Sequence, residues 1–519
     1  MSDTTVVRPT DPELRSAVRL AAVFALITFL FHLLVNLSQP HLGWGYFRDE
    51  FYYLLCGRHL DWGYVDHGPL VAVQARLAET IFGHSLAGIR MFTALGGAAR
   101  VFLTGLLAWS LGGRRAAQTL AMFAVSLAPI YLVLDGFLSM NSWEAAFWMT
   151  CALAVILMHQ GRTPKLWLLF GLAAGLGLLN KPSMTFFLIA LLLALLITPQ
   201  RRLLFTPYLL GGIALIVIIT APNLLWQLHH HWATLEFLRE STHHQDHPSF
   251  LNLLKSQVLG LGPISAFVWL PGLYWLLRRP AQRWLGLTYI FFFAAMAALH
   301  AKDYYPTPIY PILFAAGGLF WQSRIPAQRQ SRLVAFPILQ TAIFALGILI
   351  LPLGNPFMTP AQWISYIRTT HLRAAAGISG DAFFPQYLAD RFGWDEQLAL
   401  VHQALAQLSP ADLSQVRILC ANYGEAAGLE YLDGPNLPPV ISGHNNYWFW
   451  GPQAATGEVM IVINGATPQQ MLESYKDVQV IGKITHSYAM PFERRATVYL
   501  ARHRRQNLTA DWPDLKHFD

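Results

Sequence analysis

Residues 47–70 read FRDEFYYLLCGRHLDWGYVDHGPL and lie between two long apolar runs, 16–38 and 90–111. The stretch carries Asp49, Glu50, Asp61 and Asp66 among six aromatic residues. The whole chain of 519 residues holds only 29 Asp plus Glu, so four acids in one short connection mark it out. Apolar runs of about 20 residues have the length that crosses a bilayer. The acid-rich connection is therefore expected on one face of a membrane.

Composition supports this. The chain is 54% hydrophobic and 13% charged, against about 25% charged in an ordinary soluble domain. A net charge of +7 would suit nucleic acid, but the basic residues sit in short gaps between apolar runs and form no patch, which excludes that class. Cys56, Cys151 and Cys420 have neither metal-ligand spacing nor the number for a disulfide framework. The first apolar run lacks a small-residue cleavage site and is too long for a signal-peptide core, so it reads as a retained anchor.

Working outward, eleven candidate spans fall near 16–38, 90–111, 116–134, 142–160, 165–180, 183–199, 204–225, 251–277, 284–300, 304–322 and 333–353. The short fifth and sixth also fit a single re-entrant pair. Cytoplasmic loops collect Lys and Arg. One alternating set of gaps holds Arg8, Arg15 and Arg19; Arg114 and Arg115; Arg162 and Lys165; Arg201 and Arg202; Arg278, Arg279 and Arg283; and Arg324, Arg329 and Arg332. The short gaps of the other set hold mainly Lys181 and Lys302. This predicts a cytoplasmic N-terminus in the inner (cytoplasmic) membrane, with the second set of gaps facing outward. Those outward gaps contain Asp49, Glu50, Asp66, His67, Asp135, Asn141, Lys181 and the 300–306 segment. Such one-sided chemistry points to a site at the outer membrane surface.

Two domains are expected: a membrane domain, 1–355, and an outward-facing periplasmic or extracellular α/β domain, 356–519. In the tail, 416–420, 457–464, 478–484 and 496–502 alternate like short strands. Residues 393–408 have helical spacing with Asp395 and Glu396 early in the helix.

Individual residues have plain alternatives. Asp49 and Glu50 could be a solvated loop pair, but Phe47, Phe51, Tyr52 and Tyr53 flank them, and a partly buried carboxylate at a membrane surface suits a general base. Lys181 and Lys302 could be interfacial anchors; each also offers a compact positive charge to a phosphate. His229, His230 and His231, with His243, His244 and His247, suggest a metal, yet adjacent histidines cannot all face one centre on a helix. The aromatics of 447–450 suit either burial or stacking on a sugar.

The segment RDEFYYLLCGRHLDWGYVDHGPLVA resembles the first external loop of the polytopic GT-C glycosyltransferases, the group of the bacterial protein O-mannosyltransferases and the lipid A aminoarabinose transferase. GLGLLNKPS (175–183), APNLLWQLHHHWATLEFLRE (221–240) and KDYYPTPIYPIL (302–313) resemble later motifs of the same group, in order and on one membrane side. NYGEAAGLEYL (422–432), SGHNNYWFWGP (442–452) and YAMPFERR (488–495) are similar to a C-terminal domain found in part of it. The resemblance implies Asp49 as catalytic base with Glu50 beside it. It further implies Arg58, Asp66, His67, Asp135, Asn141, Lys181, Lys302 and Tyr304 as substrate-binding residues. Asn141 stands where many relatives carry a second acid, and an amide cannot act as a base. A two-carboxylate mechanism is therefore in question. No cofactor is required, and a divalent metal stays an open alternative.

The reading that follows is a polytopic α-helical membrane glycosyltransferase. Its donor would be a polyprenyl-phosphate-linked sugar, and its acceptor a glycolipid, polysaccharide or protein. Its other partners would be membrane lipids. A transporter or lipid flippase is the alternative; it should show ionisable residues near mid-membrane and two related halves. The spans are nearly free of acids, and no such halves are evident.

Overall fold

The structure, a computed structural model, describes residues 11–243, 249–324, 332–373, 377–378 and 380–519. Arg8, Arg329, His244 and His247 lie outside the described residues. Helices occupy all eleven apolar runs, but they differ in length. Pro12–Ser38, Met91–Ser110, Asn141–His159, Pro207–His229 and Pro337–Gly354 are each long and apolar enough to cross a membrane. Phe250–Gly260 and Pro263–Arg278 form a sixth only as a pair bent by 100°, around Gly262 at φ +88° and the proline that follows.

The other helices are shorter. Leu166–Asn180 has 15 residues, a rise of about 22 Å against a hydrocarbon core of about 30 Å. The 116–134 run divides into Arg115–Ser126 and Pro129–Leu134, because Pro129 cannot donate to the preceding turn and disfavours helical geometry at Ala128. Where Leu166–Asn180 crosses Pro207–His229, a Cβ on Gly171 would lie 2.3 Å from the Gly212 carbonyl oxygen. Only glycine permits that approach, and small residues let helices pack backbone to backbone in lipid.

The C-terminal part carries a five-stranded mixed sheet: β1 (Arg417–Cys420), β2 (Val440–Ser442), β3 (Val459–Asn464), β4 (Tyr475–Lys483) and β5 (Thr497–Arg504), in the order β2-β1-β3-β5-β4. β1 runs parallel to both neighbours, whereas β5 is antiparallel to β3 and β4. Four of these strands match the alternating segments. β2, with three residues, is too short to alternate legibly. The 393–408 segment is the helix Trp394–Leu405.

The two parts share one core. Phe51, Tyr52, Leu54 and Leu55 of the helix Arg48–Arg58 are packed in a single apolar cluster with Ile418, Ala426, Val459, Ile461 and Val498 of the C-terminal part. The acid-rich connection is thus a buried helix, packed between the helices Pro69–Phe82 and Tyr423–Asp433. Cys56, Cys151 and Cys420 are free and buried.

Candidate active site

Asp49 and Glu50 are neighbours in sequence with opposite surroundings. They occupy the first turn of the helix Arg48–Arg58, where carboxylates favour the helix N-terminus. Successive side chains on a helix point about 100° apart, so one acid turns inward and the other outward. Glu50 is fully buried. It accepts from Arg90 at 2.6 and 2.7 Å, from the Phe47 amide at 2.8 Å and from the Leu138 amide at 2.7 Å. All four acceptor positions of that carboxylate are filled. Asp49 keeps 26% of its side chain exposed. Its Oδ1 accepts from the Tyr423 hydroxyl at 2.9 Å and from Arg48 Nε at 3.4 Å. Oδ2 has no hydrogen-bond partner among the described residues.

Asp66 and His67 close one side. Asp66 accepts from the Tyr52 hydroxyl at 3.0 Å, and burial raises its carboxyl above the ordinary value. His67 is buried, stacked on Tyr64 with ring centroids 4.6 Å apart. Its Nδ1 lies 2.8 Å from the Gly68 carbonyl oxygen, which can only accept, so Nδ1 donates. Burial lowers the imidazole below its ordinary value, leaving Nε2 as a lone-pair nitrogen 3.9 Å from Asp66. Nε2 has no hydrogen-bond partner among the described residues. Gly68 makes this placement possible: a Cβ there would meet the Leu179 carbonyl oxygen at 2.0 Å. The loop therefore rests on the end of the helix that delivers Lys181.

Lys181, at the extended break after Asn180, donates to Asn141 Oδ1 at 2.9 Å and pairs with Glu144 at 3.0 Å. Its ammonium also lies 5.2 and 4.5 Å from the Tyr304 and Tyr305 ring centroids. Glu144 accepts in addition from the Ser183 hydroxyl. An ammonium has three N–H donors, and two are accounted for here. Tyr304 lies within electrostatic reach of both Asp49 and Glu144, so the two clusters adjoin. The structure thus brings Asp49, Asp66, His67, Asn141, Lys181 and Tyr304 together.

Asp135 and Arg58 lie elsewhere, and Lys302 sits at the edge beside Tyr304. Asp135 is fully buried in a two-bond pair with Arg100, with His32 at 3.6 Å. Arg58 pairs with Glu79 at 2.7 Å, about 14 Å along the helix from Asp49 at 1.5 Å per residue. Lys302 is exposed on the turn before Tyr304. Among the described residues, His229, His230 and His231 form no cluster at metal-ligand distance; the one such grouping is His444, His517 and Asp519.

The C-terminal part contributes what the acid-rich stretch alone did not reveal. Besides Tyr423, Asn446 accepts from the Val65 amide at 2.7 Å, and Asp390 lies 3.7 Å from Arg48. Burial lifts Asp390 to about 6 and Glu493 to about 7, with Arg48 opposing both shifts. The readable signal was NYGE, residues 422–425. Asn422 accepts from the Glu425 amide at 2.9 Å and starts the helix Tyr423–Asp433.

Comparison with known proteins bears on this arrangement. Residues 66–226 match the dolichyl-phosphate-mannose-protein mannosyltransferase family, a stretch that includes His67, Asn141 and Lys181. The lipid A galacturonosyltransferase RgtD of Rhizobium johnstonii is 25% identical over 276 residues. The match covers 50% of this chain, which spans only about half (56%) of that relative. Among solved structures, apo ArnT from Cupriavidus metallidurans superposes with a TM-score of 0.59 at 13% identity, over 94% of this chain and 98% of ArnT. ArnT bound to undecaprenyl phosphate gives 0.57 at 14%, over 93% and 97%. The arabinofuranosyltransferase AftD from Mycobacteria gives 0.53 at 14% identity, over 94% of this chain and 40% of its own. The motif resemblance to GT-C glycosyltransferases is thus matched by a family hit within the chain and by a common fold over nearly all of it.

Proposed function

We propose that this chain is an integral membrane glycosyltransferase that moves a sugar from a polyprenyl-phosphate carrier to an acceptor at the outer face of the cytoplasmic membrane. The single observation that carries the mechanism is the contrast among the acids. Glu50, Asp135 and Glu144 are sealed in buried ion pairs, whereas Asp49 is partly open and keeps one carboxylate oxygen free of partners. Asp49 is therefore the general base. It takes the proton of the acceptor hydroxyl as that oxygen attacks the anomeric carbon. The bond from the anomeric carbon to the phosphate oxygen breaks, and polyprenyl phosphate departs with its electron pair. A direct displacement inverts the anomeric centre.

The carrier class is supported by ArnT, whose structure was solved with undecaprenyl phosphate, and by the placement of Lys181. Its remaining N–H can meet a phosphate oxygen while Asn141 and Glu144 hold the other two, and a fixed cation beside a departing anion lowers the barrier. Asn141 accordingly serves as an orienting amide, and no second acid is needed at that position. A glycolipid is the favoured acceptor, since RgtD acts on lipid A, with polysaccharide or protein as the other classes. The experiment compares envelope lipids and glycans by mass spectrometry in cells with the gene, without it, and with Asp49→Asn. One missing hexosyl or pentosyl adduct in both the deletion and the variant is expected. An unaltered envelope in the deletion would favour transport of a glycolipid instead.

A further inference from the structure

The strongest contact on Asp49 comes from a residue 374 positions away. Tyr423 opens the helix Tyr423–Asp433, and several groups fix its ring. It packs at a tilt against Tyr52 with centroids 4.5 Å apart and against His444 at 4.8 Å. The Arg48 guanidinium lies 5.5 Å from the ring centroid. Gly424 has a Cβ position only 2.2 Å from Arg48 Cγ, so the arginine stem crosses the helix start there. Beneath, Glu425 accepts from the Ala421 amide at 2.9 Å and holds the turn that presents Tyr423. The hydroxyl has one proton, and it points to Asp49 Oδ1.

We propose that Tyr423 is a positioning residue for Asp49, through which the C-terminal domain completes the catalytic centre. This rests on Asp49 being the general base. With Oδ1 engaged by Tyr423 and Arg48, the acceptor's proton goes to Oδ2, so the hydroxyl of Tyr423 decides which oxygen works. The other titratable or charged groups around Asp49 are Arg48 and Tyr53 on its own helix, Asp66 and His67 on the following loop, Tyr304 on the outward turn, and Asp390. None of these supplies a second hydroxyl to Oδ1 among the described residues.

The test is Tyr423→Phe in the full-length protein, which keeps the ring packing and removes only the donor. Transfer from polyprenyl-phosphate sugars extracted from host membranes is measured against pH, beside binding of undecaprenyl phosphate and thermal stability. Without that bond the carboxylate is no longer held in one orientation, so transfer should fall roughly tenfold, the size of effect that one lost hydrogen bond to a charged group gives. Undecaprenyl phosphate binding should stay within about twofold, since the donor removed is not a phosphate ligand. A profile superimposable on the parent overturns the proposal. So does a loss matched by weaker undecaprenyl phosphate binding, which is the signature of a merely structural role. Tyr423→Leu, which lacks ring and hydroxyl, should lose transfer more heavily at every pH. An Asp49→Asn enzyme that still turns over overturns both this and the base assignment. An inactive Asp49→Asn with an unmoved Tyr423→Phe profile overturns this one alone.

Discussion

Replacing Glu50 with glutamine separates architecture from chemistry at the Asp49–Glu50 pair. The Glu50 carboxylate accepts two bonds from Arg90 and two from backbone amides, with both side chains fully buried. All four bonds are to a charged carboxylate, at about 1.5–3 kcal/mol each, so the gross interaction is about 6–12 kcal/mol. Desolvation of both charges offsets much of it, and breaking a buried pair by removing one partner costs about 3–5 kcal/mol. Glutamine cannot rescue the site: in either orientation its NH2 group faces both an Arg90 N–H and a backbone amide, donor against donor. A loss of that size is a large share of the 5–15 kcal/mol that holds a typical domain. The assay is the thermal inactivation half-life of purified protein in detergent, since membrane proteins of this size unfold irreversibly and a rate is the meaningful quantity. Glu50→Gln should shorten it severely and lower the folded yield. Pairing it with Arg90→Met, which removes the orphaned charge, should restore part of the loss. A Glu50→Gln protein with unchanged inactivation kinetics and abolished transfer would refute the reasoning and place Glu50 in the chemistry.

Asp49→Asn should lower transfer by about 10²–10⁴-fold, the usual worth of a general base, with inactivation kinetics close to the parent, as titrated with purified protein. Lys181→Met should weaken undecaprenyl phosphate binding at least about tenfold and also destabilise, because Glu144 is left buried and unpaired. Adding Glu144→Leu should recover stability but not binding, which separates the two roles. Stability should fall as pH rises from about 4 to 7: burial lifts Asp390 from 3.8 to about 6 and Glu493 from 4.5 to about 7. The folded state therefore binds more protons than the unfolded one across that window, and the stabilisation present below it is lost through it. Asp390→Asn with Glu493→Gln should flatten that slope in melting curves recorded at pH 4.5, 6 and 7.5.

The membrane helices were legible because apolar length is a one-dimensional property that the bilayer imposes directly. Their breaks were less so. The Pro129 and Gly262 interruptions depend on single residues inside runs that otherwise read as continuous. The site was legible where local chemistry was unusual. Asp49, His67 and Lys181 each stood out against an apolar background, and the structure gathers them. Asp135 stood out equally but pairs with Arg100, and the missed signal was the arginine. A charge inside a membrane span requires a partner, and Arg100 lies in the second apolar run with Asp135 just after the third. Tyr423 could not be read at all from the neighbourhood of Asp49, because nothing local records a contact across 374 residues. The burial of Glu50 against Arg90 was hidden for a simpler reason. Helical geometry, invisible in a letter string, turns adjacent acids to different neighbours.

The shared core has a consequence for how the protein is made. The helix Arg48–Arg58 leaves the ribosome long before the residues from 418 onward that share its apolar cluster. At about 5–20 residues per second, the wait is on the order of 20–70 s. During that interval Phe51, Tyr52 and Leu55 have no sheet to pack on. Any chaperone or translocation machinery on that side of the membrane has a defined client and a defined window. The contact between Asp49 and Tyr423 likewise cannot form until the helix Tyr423–Asp433 has been made.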